Sequence, residues 1–381
     1  MTTKKILFVT GCRSDFATIK GILTLLKDVR SIDSKIFVTG PHTLKIAGLS
    51  SKEIKKLGFK IDGIKKILGK SVIEDFVLVE KGIDSYLANN TIDAAVLCGD
   101  RSEMLASALA LFFRQIPIFH IHGGEITNGG LIDDNIRHAI TKFSSIHFVA
   151  TCLNAEIVRR LGEEEWRIFR TGSPDIDELV KYRGLFEQET LKKLGLKRNN
   201  YNILLFHPET LAGKKNYSYT RQIILALNKI EGKTVVISPN NDVYSDFVRR
   251  AYVDCKKEKY LFFPSLDRTV YLTLLKNCRF LVGNSSGGII EAATFKIPVI
   301  NLGYRQDGRQ RNSNVIDVPK INYVSILAAF KKGLSDSFQD YVRKSENIYG
   351  LGDSDKKIVK IMVMILRKYS KEKLIHKRFE T

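Results

Sequence analysis

The sequence has few of the features on which small secreted or membrane-bound proteins depend. Only 5 of its 381 residues are cysteines, and they are scattered and never spaced as C-x-x-C. Neither a disulfide framework nor a structural zinc site is therefore predicted. The longest apolar runs, such as 105–113, are far shorter than the ~20 residues of a membrane span, and the N-terminus lacks a signal-peptide pattern. We expect a soluble, cytoplasmic protein that has no membrane partner.

Acidic residues are the minority among the charged ones. Asp and Glu number 41 against 61 Lys and Arg, so the net charge is +20. Much of the excess lies in the predicted helical stretch 52–70 and in a basic tail, 356–378. This distribution argues against one groove lined for nucleic acid, because such a face would add interleaved aromatic residues or a recognisable motif. These lysines are interpreted as a solvated surface, and no nucleic-acid partner is predicted. A nucleotide needs only a few basic groups at one site, so the charge favours its capture without identifying it.

Short β-branched runs alternate with helical patterns throughout the chain. They are continuous apolar runs, as expected of parallel strands that helices cover on both faces. A first series ends near 171–174 and a second follows, and a length of 381 residues also suggests two domains. The predicted strands are 5–9, 34–39, 94–98, 116–121, 146–150 and 167–170, then 202–206, 234–238, 260–263, 280–283 and 299–302.

The predicted fold class is therefore α/β, with two doubly wound domains that face a central cleft. The N-terminal domain is predicted to span 1–175 and to carry most acid and base residues, and the C-terminal domain is predicted to span 176–354. The last predicted helix, 355–369, fits either domain, and the segment 355–381 is a candidate to complete the first.

Two polar clusters follow predicted strands of the first half. After the first strand, backbone N–H groups and Arg13 at a helix start suit a phosphate, although a plain turn capped by Ser14 or Asp15 would look the same. Asp100 follows the strand 94–98 and is a candidate acid or base. Its spacing to Glu103 also matches a capping box, so both interpretations stay open.

The segment 120–125 is more specific. A strand would place His120 and His122 on one side, and two glycines before Glu125 would let backbone approach a ligand. Acid–base or substrate contact, a metal-binding histidine pair and structural histidines all remain possible. After the glycine-rich turn 128–130, Asp133 and Asp134 begin a helix, where acidic residues also suit the helix dipole.

In the second half, His207 ends a predicted strand and is either a ligand contact or a structural histidine. The turn 283–288 joins a strand to a helix and combines backbone amides with two hydroxyls, which favours an anion over a simple cap. Glu291 lies one helical turn further on, where it suits ribose hydroxyls. The Lys-Ser/Thr pair of a Walker A loop is missing.

Taken together, these motifs resemble the hydrolysing UDP-N-acetylglucosamine 2-epimerases of sialic-acid biosynthesis. The resemblance covers about residues 5–320 and lies in the segments 98–101, 120–125, 133–142, 172–174, 283–291 and 301–309. It implies a GT-B architecture of two Rossmann-like domains, with UDP held mostly by the C-terminal one, and a homo-oligomer, either dimer or tetramer. It implies no metal and no nicotinamide cofactor.

The same resemblance assigns roles within the site. It places Ser285, Ser286 and Gly287 on the diphosphate, Arg13 nearby and Glu291 on the ribose, and it puts Arg309 in the substrate-binding set. The candidates for proton transfer are Asp100, Glu125, Asp133 and His207. His122 stands where several relatives carry an acidic residue, so it joins this catalytic set, and roles are assigned to the set as a whole.

The implied reaction is elimination followed by hydration. Because the C2 proton is weakly acidic, its removal is coupled to departure of UDP from C1, and the resulting 2-acetamidoglucal is rehydrated to N-acetylmannosamine. Relatives that act on UDP-N,N'-diacetylbacillosamine, in the legionaminic-acid pathway, share the motifs, so that substrate is an alternative. More distant alternatives are a GT-B glycosyltransferase, a metal-dependent hydrolase built on His120 and His122, and a non-catalytic UDP-sugar sensor.

Overall fold

The computed structural model describes residues 3–44, 50–127, 131–182, 184, 186–239, 243–253 and 255–378. Contacts between Cα atoms divide the chain into two units. Unit 1 comprises Met1–Glu125, Leu131–Glu178 and Ile348–Thr381, and unit 2 is built around Leu179–Asn347. The glycine-rich turn predicted at 128–130 lies outside the described residues.

Unit 1 is organised on a parallel sheet, sheet 1, with seven strands among the described residues in the order β3-β2-β1-β4-β5-β6-β7. Every strand predicted for the first half is present in it, with ends that differ by up to two residues. The strands are β1 (Lys4–Thr10), β2 (Ile32–Val38), β3 (Gly63–Ile64), β4 (Ala94–Cys98), β5 (Ile118–Ile121), β6 (Ile146–Val149) and β7 (Ile168–Arg170).

Helices cover both faces of sheet 1, which explains the continuous apolar runs. Ile6 and Phe8 of β1 pack in one hydrophobic cluster, Leu7 and Val9 pack in another, and all four are 0% exposed. The helices of this part of the chain are α1 (Arg13–Leu26), α2 (Ser51–Lys56), α3 (Val72–Ala88), α4 (Ser102–Phe113), α5 (Leu131–Phe143), α6 (Cys152–Arg160) and α7 (Pro174–Lys181), with α15 (Ser354–Lys368) and α16 (Lys371–Ile375) near the C-terminus.

The basic C-terminal segment is held inside unit 1. Helix α15 packs Ile358 and Met362 into the cluster of α1. The buried guanidinium of Arg167 donates to the carbonyl oxygens of Leu374 at 2.9 Å and His376 at 2.8 Å. Lys377 Nζ lies 2.6 Å from Glu163 Oε2. The interpretation of this tail as a solvated surface is thus wrong at Lys377, whose ammonium neutralises a buried carboxylate.

The helix predicted over 52–70 is also wrong beyond α2, since 57–71 contains only turns, a strand and irregular chain.

Unit 2 repeats the arrangement on sheet 2, with six described strands in the order β10-β9-β8-β11-β12-β13. The strands are β8 (Tyr201–Leu205), β9 (Lys233–Ile237), β10 (Tyr260–Phe263), β11 (Leu281–Gly283), β12 (Val299–Leu302) and β13 (Val315–Val318). The helices are α8 (Glu187–Lys193), α9 (Lys215–Leu227), α10 (Ser245–Ala251), α11 (Arg268–Asn277), α12 (Ser286–Ile290), α13 (Tyr323–Leu334) and α14 (Asp336–Lys344).

Both sheets reverse their winding direction next to their first strand, between β1 and β4 in sheet 1 and between β8 and β11 in sheet 2. In doubly wound sheets, ligands bind outside the carboxyl ends of the strands at this switch point. The predicted site residues follow these four strands or their neighbours. Within the described residues, the helices are all too short or too polar to cross a membrane.

Candidate active site

Asp100 follows β4 and forms an ion pair with the guanidinium of Arg137 in α5. It does not cap α4, because Arg101 is the N-cap residue and makes no side-chain cap bond. Glu103 instead lies 3.2 Å from the Arg101 guanidinium. The capping-box interpretation of Asp100 and Glu103 is therefore wrong, and Asp100 presents its carboxylate at the switch point of sheet 1.

Arg137 is the centre of this cluster and was not among the predicted site residues. Its side chain is 3% exposed, and Nη1 donates to Asp134 Oδ1 at 2.7 Å and to the carbonyl oxygen of Glu125 at 2.6 Å. One guanidinium thus joins the loop after β4, the loop after β5 and the first turn of α5. The available signal was the spacing of Asp134 and Arg137 within the motif 133–142, since a buried arginine requires carboxylate partners.

Asp133 lies on the exposed side of the same helical turn. Desolvation by the surrounding protein and the negative charge of Asp100 raise the pKa of Asp133 above that of an ordinary aspartate. A carboxyl group with a raised pKa retains its proton at higher pH, which suits a proton donor. Asp134, for which only a helix-dipole role was expected, is a direct partner of Arg137.

His120 takes a structural position. It is 0% exposed, its Nε2 lies 2.9 Å from the carbonyl oxygen of Gly99, and its Nδ1 lies 3.2 Å from Thr141 Oγ1. Burial lowers the pKa of His120 to about 3, so the ring is neutral at physiological pH. Because both ring nitrogens have protein partners, His120 is poorly suited to bind a metal, and it fixes the turn that precedes Asp100.

His122 does not share the surroundings of His120, contrary to the prediction. Strand β5 ends at Ile121, and His122 has a left-handed backbone with φ of +69°. Its Nε2 lies 3.1 Å from Ser173 Oγ and 3.8 Å from Asp175 Oδ2. The alternation of a strand therefore does not extend to this residue. Among the described residues, His, Cys, Asp and Glu form no group of three or more that is arranged to hold a metal ion.

Replacing His120 with glutamine is expected to weaken the loss of stability in acid. The folded-state pKa of His120, about 3, lies below the 6.5 of an unperturbed histidine, so only the unfolded chain takes up a proton between these values. Stability therefore falls as pH drops below about 6.5, by about 2 to 3 kcal/mol per such histidine at pH 4.5. Urea unfolding at pH 7 and pH 4.5 measures this difference, which should be smaller in His120→Gln.

The matched control is Thr141→Val, which removes the hydroxyl beside Nδ1 and keeps the imidazole. It should lower stability at both pH values by similar amounts. If His120→Gln and the wild type lost the same free energy between pH 7 and pH 4.5, the buried neutral state of His120 would be disproved.

In unit 2, His207 lies two residues beyond β8 and is 6% exposed. Its backbone N–H donates to Asn284 Oδ1 at 2.7 Å, and its carbonyl oxygen accepts from Asn284 Nδ2 at 2.9 Å. Asn284 follows β11, so these bonds tie together the two loops on either side of the switch point of sheet 2. His207 was predicted at this edge, and Asn284 was not among the predicted site residues.

The predicted diphosphate turn follows Asn284 directly. Ser285 is the N-cap residue of α12, but its side chain makes no cap hydrogen bond, so capping does not account for this hydroxyl. Ser286 and Gly287 form the first turn of α12 and are partly exposed. At the end of this short helix, Glu291 Oε1 lies 2.9 Å from Arg268 Nη1, and the Glu291 side chain is 13% exposed.

The two predicted phosphate-binding arginines have different surroundings. Arg13 begins α1, is 63% exposed, and donates through Nε to Glu53 Oε2 at 3.2 Å. The N–H groups of Gly11 and Cys12, expected to face a phosphate, both donate to Asp15 Oδ2 at 3.0 Å. The protein's own carboxylate thus occupies this anion position. Arg309, after β12, donates through Nε to Gln306 Oε1 at 3.1 Å.

Comparisons with known proteins show the family of this chain. The model of a family described as UDP-N-acetylglucosamine 2-epimerase matches residues 25–363. A UDP-N,N'-diacetylbacillosamine 2-epimerase (hydrolyzing) of Legionella pneumophila is 32% identical over 95% of this chain and 96% of its own length. A UDP-N-acetylglucosamine 2-epimerase of Neisseria meningitidis is 32% identical over 82% of this chain and 83% of its own length.

A solved structure shows the same fold at lower sequence identity. The crystal structure of UDP-GlcNAc 2-epimerase from Neisseria meningitidis bound to UDP-GlcNAc has a TM-score of 0.80 and 20% identity, and the match covers 94% of this chain and all of that one. The predicted α/β fold of two Rossmann-like units, of the GT-B type, is confirmed. The family that the motifs resembled is confirmed as well: this chain belongs to the UDP-N-acetylglucosamine 2-epimerase family.

Proposed function

We propose that the protein is a hydrolysing 2-epimerase, which converts a UDP-2-acetamido sugar and water to UDP and the free sugar with inverted configuration at C2. Unit 2 binds the nucleotide and contributes His207 to the proton-transfer set, and unit 1 supplies the other acid and base groups. The observation that carries the proposal is the arginine-centred carboxylate cluster at the switch point of sheet 1, where Arg137 pairs with Asp100 and Asp134. The name of the Legionella pneumophila relative, which describes a hydrolysing 2-epimerase, supports it.

At the leaving end, departure of UDP places negative charge on the diphosphate. The hydroxyls of Ser285 and Ser286 and the backbone N–H of Gly287 lie together at the start of α12 and are the donors for this charge. Arg309 adds a cation from the loop after β12. Donors that are already oriented before the reaction typically lower such a barrier by several kcal/mol. Glu291 is assigned to the ribose hydroxyls, for which it exchanges its contact with Arg268.

At the sugar, the C2–H bond breaks as the C1–O bond to UDP breaks. The C2 proton passes to a base, and the electron pair of the C–H bond forms the C1–C2 double bond of 2-acetamidoglucal. We assign the base to the set of Asp100, Glu125 and His122, within which the guanidinium of Arg137 orients Asp100. Hydration then adds a proton to C2 on the opposite face and a hydroxyl from water to C1. Asp133 suits the proton donor, because desolvation and the charge of Asp100 raise its pKa.

Two sugars are candidates for the substrate. UDP-N-acetylglucosamine, which would give N-acetylmannosamine, is the substrate of the family that the motifs resemble. UDP-N,N'-diacetylbacillosamine is the second candidate. A specific observation favours it, since the Legionella relative matches over 95% of this chain and the Neisseria relative over 82%, at the same 32% identity.

The proposal is tested by incubating the purified protein separately with each nucleotide sugar in D₂O and following the products by NMR. We expect equal amounts of UDP and free 2-epimer from one of the two, with deuterium at C2. Chelator treatment should leave the rate unchanged, whereas a metal-dependent hydrolase would lose it. Release of the unepimerised sugar, or binding without any UDP release, would overturn the proposal in favour of a simple hydrolase or a sensor.

A further inference from the structure

Asn284 and Gln306 connect three loops at the carboxyl edge of sheet 2. The side-chain amide of Asn284 exchanges two hydrogen bonds with the backbone of His207, at 2.7 and 2.9 Å. Gln306 Nε2 donates to the backbone oxygen of Asn284 at 3.0 Å, and Gln306 Oε1 accepts from Arg309 Nε at 3.1 Å. A continuous path therefore runs from Arg309 through Gln306 and Asn284 to His207.

The two residues that carry this path are almost fully enclosed. Asn284 is 1% exposed and Gln306 is 3% exposed, whereas Ser285, the next residue after Asn284, is partly open to solvent. Buried amides of this kind act through their neighbours, since they have little surface left for a ligand. A paired amide that both donates to and accepts from one peptide fixes the position and the direction of that peptide.

We propose that Asn284 and Gln306 are positioning residues, which hold His207 and Arg309 in register with the turn of Ser285 and Ser286. The inference rests on the proposed function, in which this turn binds the diphosphate and His207 belongs to the proton-transfer set. The network makes the two tasks interdependent: a shift of the nucleotide turn moves Asn284, and Asn284 moves the backbone of His207.

The test compares Asn284→Ala with Asn314→Ala in the full-length protein. Asn314 is 0% exposed and donates through Nδ2 to the carbonyl oxygen of Ile297 at 2.6 Å. Because Ile297 precedes β12, this bond lies at the opposite edge of sheet 2, where the strands begin. Both variants lose a buried amide, so both should be less stable. Only Asn284→Ala should lower kcat, by about 30- to 100-fold, because misplacement of a catalytic group costs rates of this order.

A double mutant separates positioning from general damage. If Asn284 acts on catalysis through His207, adding Asn284→Ala to His207→Ala should lower kcat little further. The kcat of the double variant should equal that of His207→Ala within about twofold. Asn284→Asp, which keeps the acceptor for the His207 N–H and loses the donor to its carbonyl, should retain an intermediate rate. Independent, multiplied losses in the double variant would overturn the proposal.

Two readouts do not depend on turnover. UDP affinity by calorimetry and the NMR signals of the His207 ring should both change in Asn284→Ala and stay as in the wild type in Asn314→Ala. If the wild type released no UDP from any nucleotide sugar, the proposed function would fail while these readouts still tested the network. If neither readout changed in Asn284→Ala, the network would be disproved whatever the activity.

Discussion

Replacing Asp100 with asparagine should lower kcat by about 10³- to 10⁴-fold, since a group that moves a proton in the transition state typically contributes an effect near this size. Asparagine has the same shape and can still accept a hydrogen bond from Arg137, but its side chain is uncharged and cannot take up or release a proton. The change should affect kcat much more than the binding of UDP. Steady-state rates of UDP release, with UDP affinity measured separately, check both parts of this expectation.

Asp134→Asn is the matched control, because Asp134 pairs with the same guanidinium through Nη1. Each variant removes one carboxylate from a buried arginine, so each should cost about 1 to 3 kcal/mol of stability. Only Asp100→Asn should remove catalysis, and Asp134→Asn should keep turnover within about tenfold. Equal losses of kcat in the two variants would mean that Asp100 serves only to hold Arg137.

The fold was largely predictable because its strands are buried on both faces. At positions 6–9 of β1, alternate residues enter different hydrophobic clusters, so each of these four positions selects an apolar side chain. Among the described strands, the two that were not predicted lie at sheet edges. Strand β3 has only two residues, and β13 places exposed Asp317 between two buried neighbours, so neither forms a continuous apolar run.

Only the site residues that follow a strand could be predicted from the sequence. Asp100, His207 and the turn at Ser285 each follow a strand, and the topology of doubly wound sheets brings such positions to the carboxyl edge of their own sheet. The partners that organise them come from distant parts of the chain: Arg137 lies 37 residues from Asp100, and Asn284 lies 77 residues from His207. Local periodicity carries no information about such pairs.

Local backbone geometry was the other limit on predicting the site from the sequence. The strand alternation predicts His122 on the same side as His120, but the left-handed backbone of His122 turns its side chain toward Ser173 and Asp175. A positive φ is uncommon for a residue with a Cβ atom, so periodicity alone would not predict it. Asp15 is a predicted candidate for the N-cap of α1. In the structure Cys12 is the N-cap residue, and Asp15, the third residue of α1, accepts from the N–H groups of Gly11 and Cys12 that suited a phosphate.

Gly283→Ala should destabilise the protein by about 4 kcal/mol or more, because its clash is with backbone and no side chain can move to relieve it. Gly283 has φ of +147°, and an added Cβ would lie 1.9 Å from the carbonyl oxygen of Leu205 in β8. Strands β8 and β11 are paired at this point. Urea unfolding monitored by circular dichroism measures the loss.

Gly333→Ala is the opposite case in the same unit. A Cβ there would meet Ile300 and Ile316 at 3.6 Å, an ordinary van der Waals contact, and the residue lies in the last turn of α13. Alanine is favoured over glycine in a helix by roughly 0.5 to 1 kcal/mol, so Gly333→Ala should be as stable as the wild type or more stable. Wild-type stability in Gly283→Ala would show that β8 and β11 lie further apart than the structure places them.

Because Asn284 follows Gly283 directly, any Gly283→Ala protein that still folds should have lost the pairing of Asn284 with His207. Its kcat should therefore be lowered about as much as that of Asn284→Ala.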